Sequence, residues 1–209
     1  MDIKSKYNVL KTYNHIYNSN IVITVPHSVP IEIIPNNVER IRTHDLSALL
    51  FAEILQEKLS KYIKNITLII SSQSRYEIDD NRNEAYNKKT ELWQKLTKLG
   101  VITPDTILLD THSFPLNYNK DTIYFLQNET HKNAIGHILC KKLKAKGINC
   151  NVYISAQNMN SIIDKNNSYK TLIEVNENLS YDDLQRLADE LCDALISFLV
   201  NKYDTKKNI

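Results

Sequence analysis

Glycine is scarce in this chain, at 3 of 209 residues. Phosphate-binding loops of the two common types need clustered glycines, because backbone amides must approach the phosphate closely. No such cluster exists here, so the sequence excludes proteins that bind nucleotides through a glycine-rich loop.

Cysteine is also rare, and its pattern excludes a disulfide scaffold. The chain contains 3 cysteines, Cys140, Cys150 and Cys192. The count is odd, and the spacing fits neither a zinc ribbon nor a disulfide framework. We therefore expect three reduced, buried thiols, which indicates a reducing compartment.

Long apolar runs and an excess of one charge are missing as well. No run approaches the ~20 apolar residues that span a bilayer, and the first residues lack the apolar core of a signal peptide. The net charge is +2, without a basic tract, which gives no support to a nucleic-acid partner. We expect a cytoplasmic protein with a small-molecule partner and no contact with nucleic acid or membrane. The sequence leaves the oligomeric state open.

Strand-length apolar runs alternate with segments of helical periodicity along the whole chain. Such alternation, with strands that are apolar on both sides, predicts a sheet covered on both faces. Residues 1–209 are therefore expected to form a single α/β domain with three αβα layers around a mixed, largely parallel sheet. The predicted strands are residues 20–26, 66–71, 105–111, 121–126 (a short edge strand), 150–155 and 171–176. The predicted helices are residues 45–62, 83–99 and 129–146, with a last helix capped by Ser180.

Polar side chains follow several of these strands. Ligands bind outside the carboxyl ends of strands in open α/β sheets. His27, Arg75 and His112 come after the first three strands, and Glu174 lies in the last. We therefore expect these four side chains to converge on one crevice.

Two of the 6 histidines are candidate metal ligands. His27 and His112 each follow a buried strand directly, and two imidazoles at strand ends suit an open catalytic zinc site. The alternative is that each ring only satisfies a local polar group. A third protein ligand is required, and Asp45, at the start of a predicted helix, is the first choice. Glu32 competes with it, and Asp45 in a first turn also complements the helix dipole without any metal.

Supporting roles are predicted for residues near the two histidines. Asp110 lies two positions before His112 and so shares its side of a regular strand, where it can orient a ligand. Ser28 directly follows His27 in the sequence Val-Pro-His-Ser.

Residues 74–83 form an arginine-containing loop after the second strand. Arg75 and Arg82 each offer a planar fork that fits a carboxylate, and Asn81 adds an amide donor. Asp79 and Asp80 are positioned to hold the guanidinium groups. The alternative is a solvated loop of surface ion pairs.

Glu174 stands within an otherwise apolar strand, Thr-Leu-Ile-Glu-Val-Asn. A buried carboxylate is costly unless it is paired or functional. Beside a metal-bound water it would act as a general base. The alternative is a residue that faces outward from the sheet.

Taken together, these segments resemble the N-formylglutamate amidohydrolase family, from about residue 21 to about residue 181. The resemblance rests on the blocks Pro26-His27-Ser28, Asp80-Asn81-Arg82 and Asp110-Thr111-His112-Ser113, with Asp45 and Ile173-Glu174-Val175-Asn176. It implies a phosphorylase/hydrolase-like fold similar to that of the zinc carboxypeptidases. It further implies zinc on His27, His112 and an acidic residue, substrate carboxylate recognition by Asn81 and Arg82, and a base at Glu174.

The resulting hypothesis is a metal-dependent amidohydrolase that acts on C–N bonds other than peptide bonds. Zinc would activate water and polarise the scissile carbonyl of an N-formyl-like N-acyl amino acid. Glu174 would pass the proton to the leaving nitrogen, while Arg75 binds the substrate carboxylate or stabilises the oxyanion. Two alternatives stay open: a zinc carboxypeptidase or amidase acting on a peptide or cell-wall fragment, and a metal-free binding module that kept the fold.

Overall fold

The computed structural model of the chain describes residues 14–29, 44–98, 103–115, 120–128, 133–155 and 160–206. Six strands in these ranges form one sheet in the order β2-β1-β3-β6-β4-β5. They are β1 (Asn20–Val25), β2 (Asn65–Ile70), β3 (Ile107–Phe114), β4 (Ile123–Gln127), β5 (Cys150–Ile154) and β6 (Tyr169–Asn176). β1, β2, β3 and β6 are parallel, β4 is antiparallel to β6, and β5 is parallel to β4. The sheet is mixed and largely parallel, as predicted.

Helices cover both faces of this sheet. They are α1 (Ala48–Ser60), α2 (Asn83–Lys88), α3 (Glu91–Lys98), α4 (Gly136–Ala145), α5 (Ser161–Lys165) and α6 (Tyr181–Lys206). Alternate residues of a strand point to opposite faces, so Ile107 and Leu109 of β3 pack under α1, in the core that α4 and α6 also line. Leu108 instead packs with Trp93 of α3 and Ile162 of α5 on the other face. The architecture is the three-layer αβα arrangement that the sequence predicts.

Two helix ends confirm sequence predictions. Ser180 caps α6, because its hydroxyl oxygen accepts a hydrogen bond from the Asp183 backbone N–H at 3.2 Å. Gly147, which follows α4, has a φ of +77°, a left-handed conformation that glycine adopts without a steric penalty. Residues 129–132 of the helix predicted there lie outside the described residues, and residues 133–135 are not helical, so α4 begins later than predicted, at Gly136.

Three predicted element bounds are wrong in ways that affect the site. α1 begins at Ala48 with Ser47 as N-cap, so Asp45 lies before the helix and not in its first turn. β3 continues to Phe114, so His112 lies within the strand and not after it. The predicted helix 83–99 is two helices, because Lys89 has a φ of 52° and ends α2.

The strand predicted at the sheet edge is also misplaced. β4 lies between β6 and β5 and pairs with both, so the edge strands of the described sheet are β2 and β5. The apolar run of β4 is fully consistent with an interior strand, since four of its five residues are buried.

The three cysteines are free thiols and are buried, as predicted, in α4, β5 and α6. Among the described helices, none combines the length and the hydropathy that a membrane span requires.

Candidate metal centre

Three chain segments bring His27, Asp45 and His112 together at the carboxyl ends of β1 and β3. His27 follows β1 by two residues, and His112 lies near the end of the neighbouring parallel strand β3. Asp45 lies in the turn before α1, and its backbone N–H donates to the His27 carbonyl oxygen at 2.9 Å. The strand order changes direction between β1 and β3, which is where open α/β sheets bind ligands.

The geometry of these three side chains suits a divalent cation. Asp45 Oδ2 lies 3.2 Å from His27 Nδ1 and 3.1 Å from His112 Nδ1. The two imidazole rings are 4.7 Å apart between centroids, and all three residues are buried. Atoms that bind one zinc ion at its usual tetrahedral distances are separated by about 3.3 Å. Two imidazoles and a carboxylate are also a donor set that catalytic zinc sites use, so the residues fit zinc.

Each imidazole is oriented by a second carboxylate. His27 Nε2 lies 2.7 Å from Asp79 Oδ1, and His112 Nε2 lies 3.1 Å from Asp110 Oδ2. A carboxylate accepts only, so a cation bound between the two Nδ1 atoms and Asp45 would leave each neutral imidazole with its proton on Nε2, where Asp79 or Asp110 accepts it. That is the arrangement that metal-binding histidines show.

Charge at the site also favours a cation. Asp45, Asp79, Asp110 and Glu174 contribute four carboxylates, whereas Arg75 and Arg82 contribute two cations. With a cation bound that keeps both imidazoles neutral and all four carboxylates ionised, these side chains would carry two negative charges, which a divalent ion would neutralise. Buried charge is unfavourable when it is not compensated.

Burial and hydrogen bonding shift the pKa values of this cluster in opposite directions. Burial alone would raise the pKa of Asp45, but hydrogen bonds from His112 and His27 hold it well below its usual value. Burial alone would lower the pKa of His112, but Asp110 and Asp45 hold it well above its usual value. In the metal-free protein these interactions favour a charged imidazolium between two carboxylates.

Asp110 is held rigidly within the sheet. Thr24 on β1 is its register partner and donates a hydrogen bond to Asp110 Oδ1 at 2.6 Å. The Asn81 amide donates to Asp110 Oδ2 at 3.1 Å, and its carbonyl oxygen accepts from the Ile162 backbone N–H at 3.1 Å. Asp110 is thereby held against His112 Nε2, and its role in orienting a metal ligand stays a prediction.

Asn81 uses both ends of its buried amide within the protein. It lines the cavity beside the metal centre, and its Nδ2 lies 3.2 Å from His112 Nε2. This engagement favours a structural role over the substrate-binding role predicted from the sequence.

Asp79 connects the arginine loop to the metal centre. Besides His27, its carboxylate contacts Arg75 Nε at 3.2 Å and Arg82 Nε at 3.6 Å, and it accepts from the Asn81 backbone N–H at 2.9 Å. The sequence predicts that Asp79 holds guanidinium groups but not that it orients His27. Because Asp79 and Asp80 are adjacent, only the loop conformation decides which of them reaches the imidazole.

Asp80 does not hold a guanidinium group, which corrects the sequence prediction. Its carboxylate is buried and accepts hydrogen bonds from the hydroxyls of Ser71 and Thr90, while its carbonyl oxygen accepts from Trp93 Nε1 at 2.9 Å. Burial raises the pKa of Asp80, and the two hydroxyls oppose that shift. Asp80 thus ties the loop to β2 and α3 and supports the site from a distance.

Glu174 lies on β6 directly beside His112. The two residues are register partners across parallel strands, so their side chains emerge on the same face of the sheet. Burial raises the pKa of Glu174 to about 8, the charge of His112 opposes this, and the Asp45 carboxylate adds to it. The outward-facing alternative for Glu174 is wrong, because this face of β6 lines the cavity.

A cavity of about 620 Å³ opens over the centre. The candidate ligands His27, Asp45 and His112 line it together with Glu174, and Arg75 and Arg82 reach it from the loop after β2. This volume falls in the range typical of small-molecule sites. Of the other predicted residues, Ser28 lies beside the site and donates to the Ser71 carbonyl oxygen at 3.4 Å. Glu32, the alternative ligand, lies outside the described residues.

A second anchor fixes the turn that carries Asp45, and sequence reasoning missed it. Glu177 Oε1 accepts from the Leu46 backbone N–H and from the Ser113 hydroxyl, both at 3.0 Å. The Ser113 oxygen in turn accepts from the Ser47 backbone N–H at 3.1 Å. Ser113 directly follows His112 in the Asp-Thr-His-Ser block, and that position is the signal that could have identified it.

Comparison with known proteins finds solved structures that share this fold. No family model matches the sequence, and no curated protein matches it. Solved structures do match. The gene product Atu2144 from Agrobacterium tumefaciens superposes with a TM-score of 0.64 at 14% identity, over 91% of this chain and 94% of that one.

Two further structures carry descriptive names. The N-acetylmuramoyl-L-alanine amidase from Clostridium difficile 630 gives a TM-score of 0.54 at 14% identity, over 88% of this chain and 97% of that one. Murine aminoacylase 3 gives 0.54 at 14% identity, over 87% of this chain and 64% of that longer one. At these identities the likeness shows a shared fold.

Proposed function

We propose that this protein is a zinc-dependent hydrolase that cleaves the amide bond of an N-acyl amino acid with a free carboxylate. The observation that carries the proposal is the buried His27–Asp45–His112 cluster with Glu174 on the adjacent strand, lining one cavity. The shared fold with structures named as an amidase and an aminoacylase supports the same class of reaction.

The cation would be held by Nδ1 of His27, Nδ1 of His112 and a carboxylate oxygen of Asp45, whose distances to the two imidazoles fit the zinc donor set. A zinc ion bound there would polarise the scissile carbonyl and lower the pKa of a water molecule. Asp79 and Asp110 would fix the two imidazoles in the tautomer that presents Nδ1.

Glu174 is assigned the proton transfer. It lines the cavity one strand away from His112, and neither imidazole of the cluster is bonded to it, in contrast to the Asp45 carboxylate. A carboxylate in this position can accept a proton from water and deliver it to the leaving nitrogen. The pKa of about 8 belongs to the metal-free protein, and a nearby divalent charge would lower it toward the range of a general base at neutral pH.

The arginine loop is assigned the substrate carboxylate. Arg75 is largely buried, lines the cavity and lies 3.7 Å from Asp45 Oδ1 through one terminal nitrogen. A guanidinium group has five N–H donors in a planar fork, so the bond from Nε to Asp79 leaves donors that can pair with a carboxylate. Binding the carboxylate there fixes the amide over the centre, which is how positioning lowers the barrier.

The test is Glu174→Gln, compared with the parent protein and with Glu53→Gln on the exposed side of α1. Free amine release would be measured for N-formyl and N-acetyl amino acids after zinc loading, together with the zinc-to-protein ratio. We expect Glu174→Gln to retain zinc and to lose activity by about 100-fold or more, which is the contribution of a general base. Unchanged turnover in Glu174→Gln would remove Glu174 from the mechanism.

A second candidate is an amidase acting on a cell-wall or peptide fragment. The observation in its favour is that the fold extends over nearly all of a structure named as an N-acetylmuramoyl-L-alanine amidase. Release of amine from muramyl peptides, but not from N-acyl amino acids, would support this candidate over the first. Protein that binds no zinc at all would instead indicate a binding module that kept the fold.

A further inference from the structure

The strand register arranges the cavity side chains in rows across the sheet. His112 on β3, Glu174 on β6 and Tyr124 on β4 are consecutive register partners. The row beside it contains Asp110, Leu172 and Leu126 on the same three strands. Moving from β3 toward β4, the cavity therefore changes from charged groups to apolar ones within two strand spacings, or about 10 Å.

The apolar part of the cavity, called the acyl floor below, consists of Phe114, Tyr124, Leu126 and Leu172. The rings of Phe114 and Tyr124 are 4.8 Å apart between centroids, so the two aromatic side chains support each other. Leu126 and Leu172 are cross-strand partners on β4 and β6. An apolar surface of this kind gains most when a ligand removes it from water.

The charged side of the cavity lies in the opposite direction. Arg75 contacts Asp79 and Asp45, which both contact His27 after β1. The leucine pair of the acyl floor lies instead on β6 and β4, beyond β3 in the sheet order. A substrate whose carboxylate reaches the arginines and whose amide lies at the centre must therefore extend its acyl group over the floor.

We propose that the acyl floor binds the acyl group, and that the preferred substrates are N-acyl amino acids with an aliphatic acyl chain longer than acetyl. This inference rests on the proposed function and specifies its substrate. A formyl group is too small to cover any of the floor, whereas a chain of several methylenes covers Leu126, the partly exposed member of the leucine pair. Burying each methylene should strengthen binding by about fourfold.

The first experiment measures binding without turnover. Zinc-loaded Glu174→Gln protein would be titrated calorimetrically with N-formyl-, N-acetyl-, N-butyryl- and N-hexanoylglutamate. We expect the dissociation constant to fall by about fourfold per added methylene from acetyl to hexanoyl. An affinity that is flat across the series, or that falls with chain length, would overturn the proposal.

Matched variants in the same background locate the effect. Leu126→Ser should flatten the dependence on chain length, and the conservative Leu126→Met should restore it. Leu68→Ser is the control, because Leu68 is a half-buried strand leucine that packs in the core on the other face of the sheet. A flattened series in Leu68→Ser, or a steep one in Leu126→Ser, would remove Leu126 from acyl binding.

Steady-state amine release by the parent protein separates this inference from the proposed function. Hydrolysis of all four compounds at equal kcat/KM would support the proposed amidohydrolase function but overturn the proposal that the acyl floor binds the acyl group. Absence of hydrolysis throughout would reject the proposed function, while a steep binding series would still identify the floor as an apolar acyl site.

Discussion

Removing the Asp79 carboxylate should weaken zinc binding, although Asp79 is not a candidate ligand itself. Its oxygen lies 2.7 Å from His27 Nε2, the shorter of the two carboxylate–imidazole contacts at the centre. Charge-assisted hydrogen bonds of this length are roughly twice as strong as neutral ones. Without this acceptor, His27 loses the bond that fixes both its ring orientation and its tautomer.

The size of the effect follows from the two roles of the carboxylate. Loss of an outer-shell partner typically costs 10–100-fold in metal affinity, or about 1.4–2.7 kcal/mol. Asp79→Asn keeps an acceptor oxygen for the imidazole and loses the charge, so we expect zinc affinity to fall by about tenfold. Asp79→Ala also leaves Arg75 and Arg82 without the carboxylate that lies between them, which places uncompensated positive charge near the cation. For Asp79→Ala we expect zinc affinity to fall by about 100-fold, the upper end of that range.

The assay is competition for zinc between the metal-free protein and a chromophoric chelator of known affinity. Asp80→Asn is the matched control, since Asp80 is adjacent in sequence and buried but bonds to Ser71 and Thr90 and not to an imidazole. It should lower stability and leave zinc affinity within about threefold of the parent, since the imidazole contacts are unchanged. Equal zinc affinity in Asp79→Ala and the parent protein would refute the argument.

Two further predictions concern pH and packing. Because the pKa of His112 is raised in the metal-free protein, zinc must displace a proton at neutral pH, so zinc affinity should rise by up to about tenfold per pH unit until the raised pKa is passed. The raised pKa also stabilises the metal-free fold. This stabilisation is complete below the unfolded pKa of about 6.5 and is lost as the pH rises through the folded pKa, which Tm measurements over a pH series in the presence of a chelator would show. Gly136→Ala should destabilise by roughly 1–3 kcal/mol in denaturant unfolding, because the added Cβ would lie 2.9 Å from Phe125 Cβ. A pH-independent zinc affinity, or an unchanged unfolding midpoint, would contradict the respective prediction.

The sequence predicts the layers of this fold better than the arrangement of its strands. In β1 every residue from Ile21 to Val25 is buried, and a run that is apolar on both sides is a local signal that the sequence itself shows. The position of β4 between β6 and β5 is not local, because it depends on which partners the strand meets. A short apolar segment has the same sequence pattern at the edge of a sheet and in its interior, so the prediction of an edge strand for β4 is wrong.

The residues of the candidate site also differ in whether a local sequence signal identifies them. His27, His112 and Glu174 are identifiable because each is a polar residue in or directly after a buried strand, where the parallel register brings carboxyl ends together. The sequence predicts Asp45 in the first turn of a helix, but Asp45 lies in the preceding turn, which Glu177 anchors. The contact between Asp79 and His27 spans 52 positions, and no periodicity encodes it.

Asp79 and Asp110 each accept a hydrogen bond from one imidazole, but they lie on elements of different rigidity. Asp110 is inside the sheet, where Thr24 and Asn81 hold both of its oxygens. Asp79 is on a loop, and its second oxygen pairs with the arginines that face the cavity. A carboxylate ligand that draws Arg75 toward itself therefore competes with an oxygen of Asp79, while nothing comparable reaches Asp110 from the described part of the cavity. The His112 imidazole is thus fixed by the sheet, whereas the His27 imidazole is fixed by a carboxylate that also pairs with the arginines. Replacing Asp79 should therefore change the orientation of His27 without unfolding the protein.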